Sequence, residues 1–156
     1  QLKLPQGRLE LMSGIKERRF WGKGIFPSEV ATIAGEKAIA RAGINKDNIG
    51  CLISASVCRD FIEPSTASVI HRNLKIPSEA FVFDVSNACL GVLNGMMIIA
   101  NMIDQNQILA GMVVAGENGG PLLNNTIETL LSRSDITRSN IKSSFASLTI
   151  VLLLSV

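Results

Sequence analysis

Apolar residues recur along this chain in two spacings, one typical of buried strands and one typical of helices. Short, almost continuous apolar runs predict strands at 49–57, 80–85 and 108–115. Apolar positions at helical spacing predict helices at 27–40, 64–74, 90–103 and 121–131. Residues 132–140 are typical of a polar loop, and 145–156 of a last strand. Helices alternating with short apolar runs indicate βαβ units and a largely parallel sheet.

The helix predicted over 90–103 is apolar on almost every face, so it has to be covered on every face. Gly91 and Gly95 are four residues apart, which lets another backbone approach the helix closely. A single sheet covers only one side of such a helix. The sequence therefore requires a second layer, supplied by a further segment of the chain or by a partner subunit.

Cys89 lies where a short polar turn, 86–88, gives way to this helix. The free N–H groups and the positive dipole end of a helix N-terminus stabilise a thiolate and raise its reactivity. A strand, a tight turn, a nucleophile and a buried helix in this order present a side chain at the edge of a sheet. An inert buried cysteine is the commoner outcome in an apolar segment. Position alone leaves both interpretations open.

Composition narrows the class of protein. The 156 residues fit one domain with a sizeable core, and 47% hydrophobic against 18% charged residues argues against disorder. A formal net charge of +2 gives no case for nucleic acid as a partner. Three cysteines without C-x-x-C spacing predict a reduced, cytoplasmic setting without structural zinc or another metal. The first residues of the sequence show no signal-peptide pattern, and the most apolar stretches are expected to be too short or too interrupted to span a bilayer.

Several other residues have a structural interpretation as well as a functional one. The basic run 16–21 could hold a phosphorylated ligand, although a solvated edge with a half-buried Trp21 is the commoner case. His71, the single histidine, is interpreted as a packed or partly exposed helix residue rather than a catalytic one. Cys51 and Cys58 flank a predicted buried strand and are interpreted as structural, and Asn87 is expected to shape its turn.

Four stretches resemble the thiolase-fold condensing enzymes: Ser-Gly-Ile-Lys-Glu-Arg-Arg at 13–19, Glu-Pro-Ser-Thr-Ala-Ser at 63–68, Phe-Asp-Val-Ser-Asn-Ala-Cys-Leu-Gly at 83–91 and Val-Val-Ala-Gly-Glu at 113–117. The chain is most similar to the β-ketoacyl-(acyl carrier protein) synthase III branch, and within it to the olefin-pathway enzyme that joins two fatty acyl-CoA molecules. The resemblance implies an α/β fold, with a mixed, mostly parallel sheet of about five strands and a buried central helix. Residues 1–156 would form the N-terminal half of that fold, without its first strand and its C-terminal half.

The resemblance implies a Claisen-type condensation of acyl thioesters, with acyl-CoA or an acyl carrier protein as partner and no cofactor. Cys89 would carry the acyl group as a thioester, and its own backbone N–H would be one donor to the oxyanion. Glu63 would deprotonate the second acyl chain, reaching across from the partner subunit of a homodimer, and an apolar acyl channel would strengthen it as a base. The strand 80–85 would lie at the subunit interface. A carboxylate favoured only by the helix dipole remains the alternative for Glu63.

The chain also departs from the family pattern. The family completes its site with a histidine and an asparagine from the C-terminal half, and this sequence contains neither segment. Its glycine-rich turn, expected after 148–150, is replaced by apolar residues. The isolated chain, which starts without methionine and is expected to be part of something longer, should therefore acylate itself at most. A non-catalytic half that serves assembly and a cysteine acyl-thioester hydrolase remain as alternatives.

Overall fold

The computed structural model describes residues 7–17 and 19–132, which form alternating helices and strands. The helices are α1 (Arg8–Ser13), α2 (Pro27–Ala42), α3 (Thr66–Leu74), α4 (Gly91–Asp104) and α5 (Gly120–Ser132). The strands are β1 (Ile49–Ser54), β2 (Phe81–Asp84) and β3 (Ala110–Val114). All predicted elements within these residues are present, each within a few residues of its expected bounds. The predicted loop at 132–140, beyond its first residue, and the predicted strand at 145–156 lie outside the described residues.

The three described strands form one parallel sheet in the order β2-β1-β3. β1 is central, with Cys51 opposite Phe81 on one side and Gly111 on the other. Five of the six β1 residues are buried, as expected for a strand covered on both faces. This α/β arrangement with a parallel sheet confirms the predicted fold class, and three strands of the predicted larger sheet lie in the described part of the chain.

Alternate residues of β1 belong to two separate apolar clusters, one on each face of the sheet. Leu52 packs with residues of α2 and α3 on one face of the sheet. Cys51 and Ile53 pack with Ile99 of α4 on the other face. The sheet therefore has helices on both faces, because side chains alternate along a strand and each face of β1 is apolar.

Helix α4 rests on the sheet through a narrow stripe of buried residues, two of which are glycines. Gly91, Gly95 and Ile99, four residues apart, are the buried positions. A Cβ atom on Gly91 would come 2.9 Å from the carbonyl oxygen of Ala55, which confirms the close approach predicted from the glycine spacing. Ile98 and Met102 are partly buried against the same apolar cluster as Ile99. Six other apolar residues of this region are 40–64% exposed: Leu90, Val92, Leu93, Met96, Met97 and Ile103. Within the described residues, this exposed apolar face of α4 lacks the second layer that the sequence requires.

Adding one methyl group at Gly95 should destabilise the fold. A Cβ atom there would lie 2.8 Å from a Cγ of Val113 and 3.5 Å from a Cγ of Ile53. We expect Gly95→Ala to lower the free energy of unfolding by about 1–3 kcal/mol through overpacking, even though alanine favours helices by about 1 kcal/mol over glycine. Denaturant unfolding measures the change, and Asn101→Ala, at an exposed position of the same helix, is the control. An equally stable or more stable Gly95→Ala would contradict the close packing of α4 on β1 and β3.

The division of the chain by its internal contacts gives two units, residues 24–118 and a second unit made of 1–23 with 119–156. In the second unit, Lys16, Arg19 and Trp21 are exposed, and Arg19 lies 3.5 Å from Glu17 in an exposed ion pair. These exposures favour the solvated edge over a ligand site for the described part of the basic run. None of the helices within the described residues has the length and apolarity that crossing a membrane would take.

Candidate active site

The connections that follow the three strands all start at one edge of the sheet. Because β1, β2 and β3 are parallel, their carboxyl ends meet at the same edge, where open α/β sheets bind ligands. The β1–α3 connection carries Glu63, and the β2–α4 connection carries Cys89. Glu117 follows β3. The two predicted catalytic residues thus lie on two different connections, each leaving the same edge.

Cys89 occupies the middle of a single 3₁₀ turn, Ala88–Leu90, between β2 and α4. The side chain is exposed, as a nucleophile requires, and no disulfide involves it. Ala88, directly before it, has a φ of 43°, in the left-handed region that residues with a side chain rarely adopt. Such conformations cost about 1–3 kcal/mol and occur where the surrounding structure imposes them, often at active sites. The side chain of Asn87, which was predicted to shape this turn, bonds to α4 instead: its Nδ2 donates to Oδ1 of Asn94 at 2.6 Å. The Asn87 carbonyl accepts from the N–H of Leu90 at 2.9 Å.

Glu63 lies on an exposed loop with apolar neighbours. Ile62 is 89% exposed and Phe61 51% exposed, and the Glu63 side chain is exposed as well. The ring of Phe61 packs against Phe26, with 5.6 Å between ring centroids. The Glu63 carboxylate is therefore open to solvent, with the exposed Ile62 side chain beside it.

The other two cysteines are structural in character. Cys51 is fully buried in β1, and burial raises the pKa of its thiol. Burial also raises the pKa of Cys58 to about 11, and both a hydrogen bond to the Glu117 carboxylate and the negative charge of that carboxylate contribute. A thiol with so high a pKa has very little thiolate at neutral pH and is therefore a poor nucleophile.

Alkylation should distinguish the three cysteines by the reactivity of their thiols. At neutral pH we expect iodoacetamide to modify Cys89 and to leave Cys51 and Cys58 largely unmodified in the folded protein. A pKa of about 11 instead of the ordinary cysteine value of 9.0 lowers the thiolate fraction of Cys58 by roughly a hundredfold. Modification of Cys58 should rise as the pH approaches about 11, and Glu117→Gln should shift that rise to lower pH. Mass spectrometry of peptides measures each site, and equal rates at Cys58 and Cys89 would contradict this assignment.

Three carboxylates at the same edge accept hydrogen bonds from backbone N–H groups, a role that was not predicted from the sequence. Asp84 accepts from the first residues of α3, Asp60 accepts from Ser28 at the start of α2, and Glu117 accepts from Val57 and Cys58. A carboxylate at a helix N-terminus satisfies N–H groups that have no partner within the helix. Acidic residues at strand ends beside helix starts were the available signal.

Other sequence expectations concern histidine and metals. Nε2 of His71 lies 2.9 Å from the Pro77 carbonyl oxygen, and the ring is partly buried on α3, as predicted for a packed helix residue. Within residues 7–17 and 19–132, no group of three or more histidine, cysteine, aspartate or glutamate side chains is arranged to hold a metal ion.

The chain is similar in sequence to known condensing enzymes. It is 42% identical over 149 residues to the acyl-CoA:acyl-CoA alkyltransferase of Shewanella oneidensis, an alignment that covers 96% of this chain and 42% of that protein. It is 40% identical over 139 residues to the Xanthomonas campestris protein of the same name, covering 89% of this chain and 41% of that protein. More distantly, it is 34% identical over 105 residues to the β-ketoacyl-[acyl-carrier-protein] synthase III of Chlamydia pneumoniae, covering 67% of this chain. No family model matches the chain.

The fold is similar to that of solved structures as well. The cerulenin-bound crystal structure of Xanthomonas campestris OleA superposes with a TM-score of 0.84 at 40% sequence identity, covering 90% of this chain and 43% of that chain. The acetamide-bound structure of the same protein gives a TM-score of 0.83 at 39% identity. The chain spans about two fifths of the length of the two alkyltransferases that it matches.

Proposed function

The chain belongs to the thiolase-fold condensing enzymes, and from this we propose that it supplies the nucleophile of an acyltransferase that condenses two acyl thioesters. The single observation that carries the proposal is the placement of Cys89. An exposed thiol sits on a turn between the end of a sheet strand and the start of a helix, directly after a residue in a strained backbone conformation. Close relatives are named for acyl-CoA:acyl-CoA alkyl transfer, so acyl-CoA is the first substrate to test, with an acyl carrier protein as the second.

The chemistry that we propose begins with acyl transfer. The Cys89 sulfur attacks the carbonyl carbon of the first acyl thioester, and the thiol of CoA leaves as the acyl group passes to the enzyme. The backbone N–H of Cys89 is one donor to the oxyanion that forms in this step. Glu63 then takes a proton from the α-carbon of the second acyl thioester. The resulting carbanion attacks the acyl-cysteine carbonyl, the Cys89 thiolate leaves, and a β-keto product remains.

The same proposal includes a homodimer, with β2 at its interface. β2 is an outer strand of the described sheet, paired only with β1 within the described residues, and its Phe81 side chain is 57% exposed. An unpaired strand edge with an exposed aromatic residue readily pairs with a second chain. This arrangement would bring the exposed Glu63 loop of one subunit towards the Cys89 turn of its partner. A free, exposed cysteine also suits a reducing compartment such as the cytoplasm.

Product analysis with a long-chain acyl-CoA tests the function. In the full-length protein we expect a thioester adduct on Cys89, detected by intact-protein and peptide mass spectrometry, and a β-keto product from two acyl-CoA equivalents. Free fatty acid without β-keto product would point to a hydrolase instead. The absence of any adduct on Cys89 would end the proposal and leave a structural half as the alternative.

A further inference from the structure

The side chain of Asp84 joins the strand that leads to Cys89 to the helix that follows Glu63. Asp84 is the last residue of β2. Its Oδ1 accepts from the N–H of Ala67 at 2.8 Å, and its Oδ2 accepts from the N–H of Thr66 at 3.1 Å. Both donors belong to the first turn of α3, whose N–H groups have no partner within the helix. One carboxylate therefore fixes the start of α3 to the end of β2 with two charge-assisted hydrogen bonds.

The base of the Glu63 loop depends on this attachment. The N–H of Asp60 donates to Oγ1 of Thr66 at 3.3 Å, which closes the loop between the two residues. Thr66 is 1% exposed, so its hydroxyl is a fixed point. Asp60 is held in turn by the N–H of Ser28, 2.9 Å from its Oδ1. Glu63 is midway along the loop, and the position of the loop base is set by Thr66 and hence by Asp84.

The Cys89 turn has attachments of its own that do not use the Asp84 carboxylate. The N–H of Val85 donates to the Ser54 carbonyl at 2.8 Å, which continues the β1–β2 pairing past Asp84. The N–H of Leu90 donates to the Asn87 carbonyl at 2.9 Å. The packing of Gly91 against the backbone of Ala55 fixes the start of α4. Loss of the Asp84 carboxylate should thus release the Glu63 loop and leave the Cys89 turn in place.

We propose that Asp84 is a positioning residue that sets the rate of the condensation step by holding the Glu63 loop to β2. The inference rests on the proposed function, in which Glu63 deprotonates the second acyl thioester beside the partner subunit's acyl-cysteine, across an interface formed by β2. Asp84 lies at the end of that strand, so it fixes Glu63 relative to the interface itself. A base must lie within hydrogen-bond reach of the proton that it removes, and a displacement of about 1 Å costs as much as a hundredfold in rate.

The test compares two rates in the full-length protein. We expect Asp84→Asn, which keeps one acceptor oxygen, to lower the condensation rate about tenfold to a hundredfold. Acylation of Cys89, followed by mass spectrometry in a single turnover with long-chain acyl-CoA, should change by less than about threefold. Asp84→Ala should lower condensation further. Asn45→Ala is the matched control for Asp84→Ala, because Oδ1 of Asn45 also accepts a backbone N–H at a helix start, from Asp47, without joining the two connections. Parallel loss of acylation and condensation, or no loss of either, would overturn the proposal.

A second measurement does not depend on activity. Amide hydrogen exchange should accelerate at Thr66 and Ala67 in Asp84→Ala by at least about tenfold, and should stay unchanged at Val85. Unchanged exchange at Thr66 and Ala67 would show that the carboxylate does not hold the loop, and would overturn the inference whatever the enzyme does. If the wild-type protein formed no adduct on Cys89 while exchange responded as expected, the proposed function would fail and the attachment of the loop would stand.

Discussion

Replacing Cys89 by serine should abolish the acyl-enzyme and lower condensation by about a thousandfold or more. The thiolate is both a strong nucleophile and a good leaving group, whereas a serine hydroxyl is a weak nucleophile without a dedicated base, and its ester transfers its acyl group far more slowly. The substitution changes one atom at an exposed position, so the fold should remain intact. The measurement is the intact mass after incubation with a long-chain acyl-CoA, together with the amount of β-keto product.

Cys58→Ser is the matched control for this experiment. Cys58 lies on the same sheet edge, in the connection after β1, yet its thiol is partly buried and hydrogen-bonded to Glu117. The control variant should keep both the adduct and the product, with at most a modest loss of stability. An adduct that persists in Cys89→Ser, or one that disappears in Cys58→Ser, would assign the nucleophile to a different residue.

The elements were predictable because each has a strong local signal. Pro27 and Gly43 mark the two ends of α2, and the structure places the helix at Pro27–Ala42 with Gly43 in the left-handed conformation. The strand predicted over 49–57 is shorter, Ile49–Ser54. Beyond Ala55, side chains accept the backbone N–H groups in place of a neighbouring strand: the Ser56 hydroxyl accepts from Gly116, and Glu117 accepts from Val57. Such side-chain acceptors give no periodic signal.

The arrangement of the site was less accessible to sequence reasoning. Cys89 and its turn could be located because strand, polar turn and apolar helix follow each other within one stretch. The attachments that hold the neighbouring loops join residues far apart in sequence: 17 residues separate Asp84 from Ala67, 32 separate Asp60 from Ser28, and 60 separate Glu117 from Val57. Only the fold brings these pairs together, so a single sequence cannot pair them. The face of α4 that remains exposed was, by contrast, predictable from composition alone, because a helix apolar on all sides needs more cover than one sheet provides.

Replacing Glu63 by glutamine should separate the two halves of the reaction. We expect Glu63→Gln to form the acyl-Cys89 adduct at a nearly normal rate, because acyl transfer does not need the base. Condensation should fall by about a hundredfold to ten-thousandfold, the usual contribution of a positioned general base. Glu36→Gln, an exposed glutamate on α2, is the control that should leave both steps unchanged. Loss of the adduct in Glu63→Gln would mean that Glu63 serves acylation or folding rather than proton removal.

Mixed dimers then decide whether Glu63 acts in its own subunit or in the partner. A heterodimer of Cys89→Ala and Glu63→Gln chains retains a cysteine only in the chain that lacks the base. If the base comes from the partner, that cysteine faces an intact glutamate and one site per heterodimer works. Random exchange of subunits should then restore roughly a quarter of the wild-type rate from two nearly inactive parents. If the base comes from the same chain, no site is complete and mixing restores nothing. Recovered activity would thus place the exposed Glu63 loop against the other subunit, since neither parent chain carries both groups.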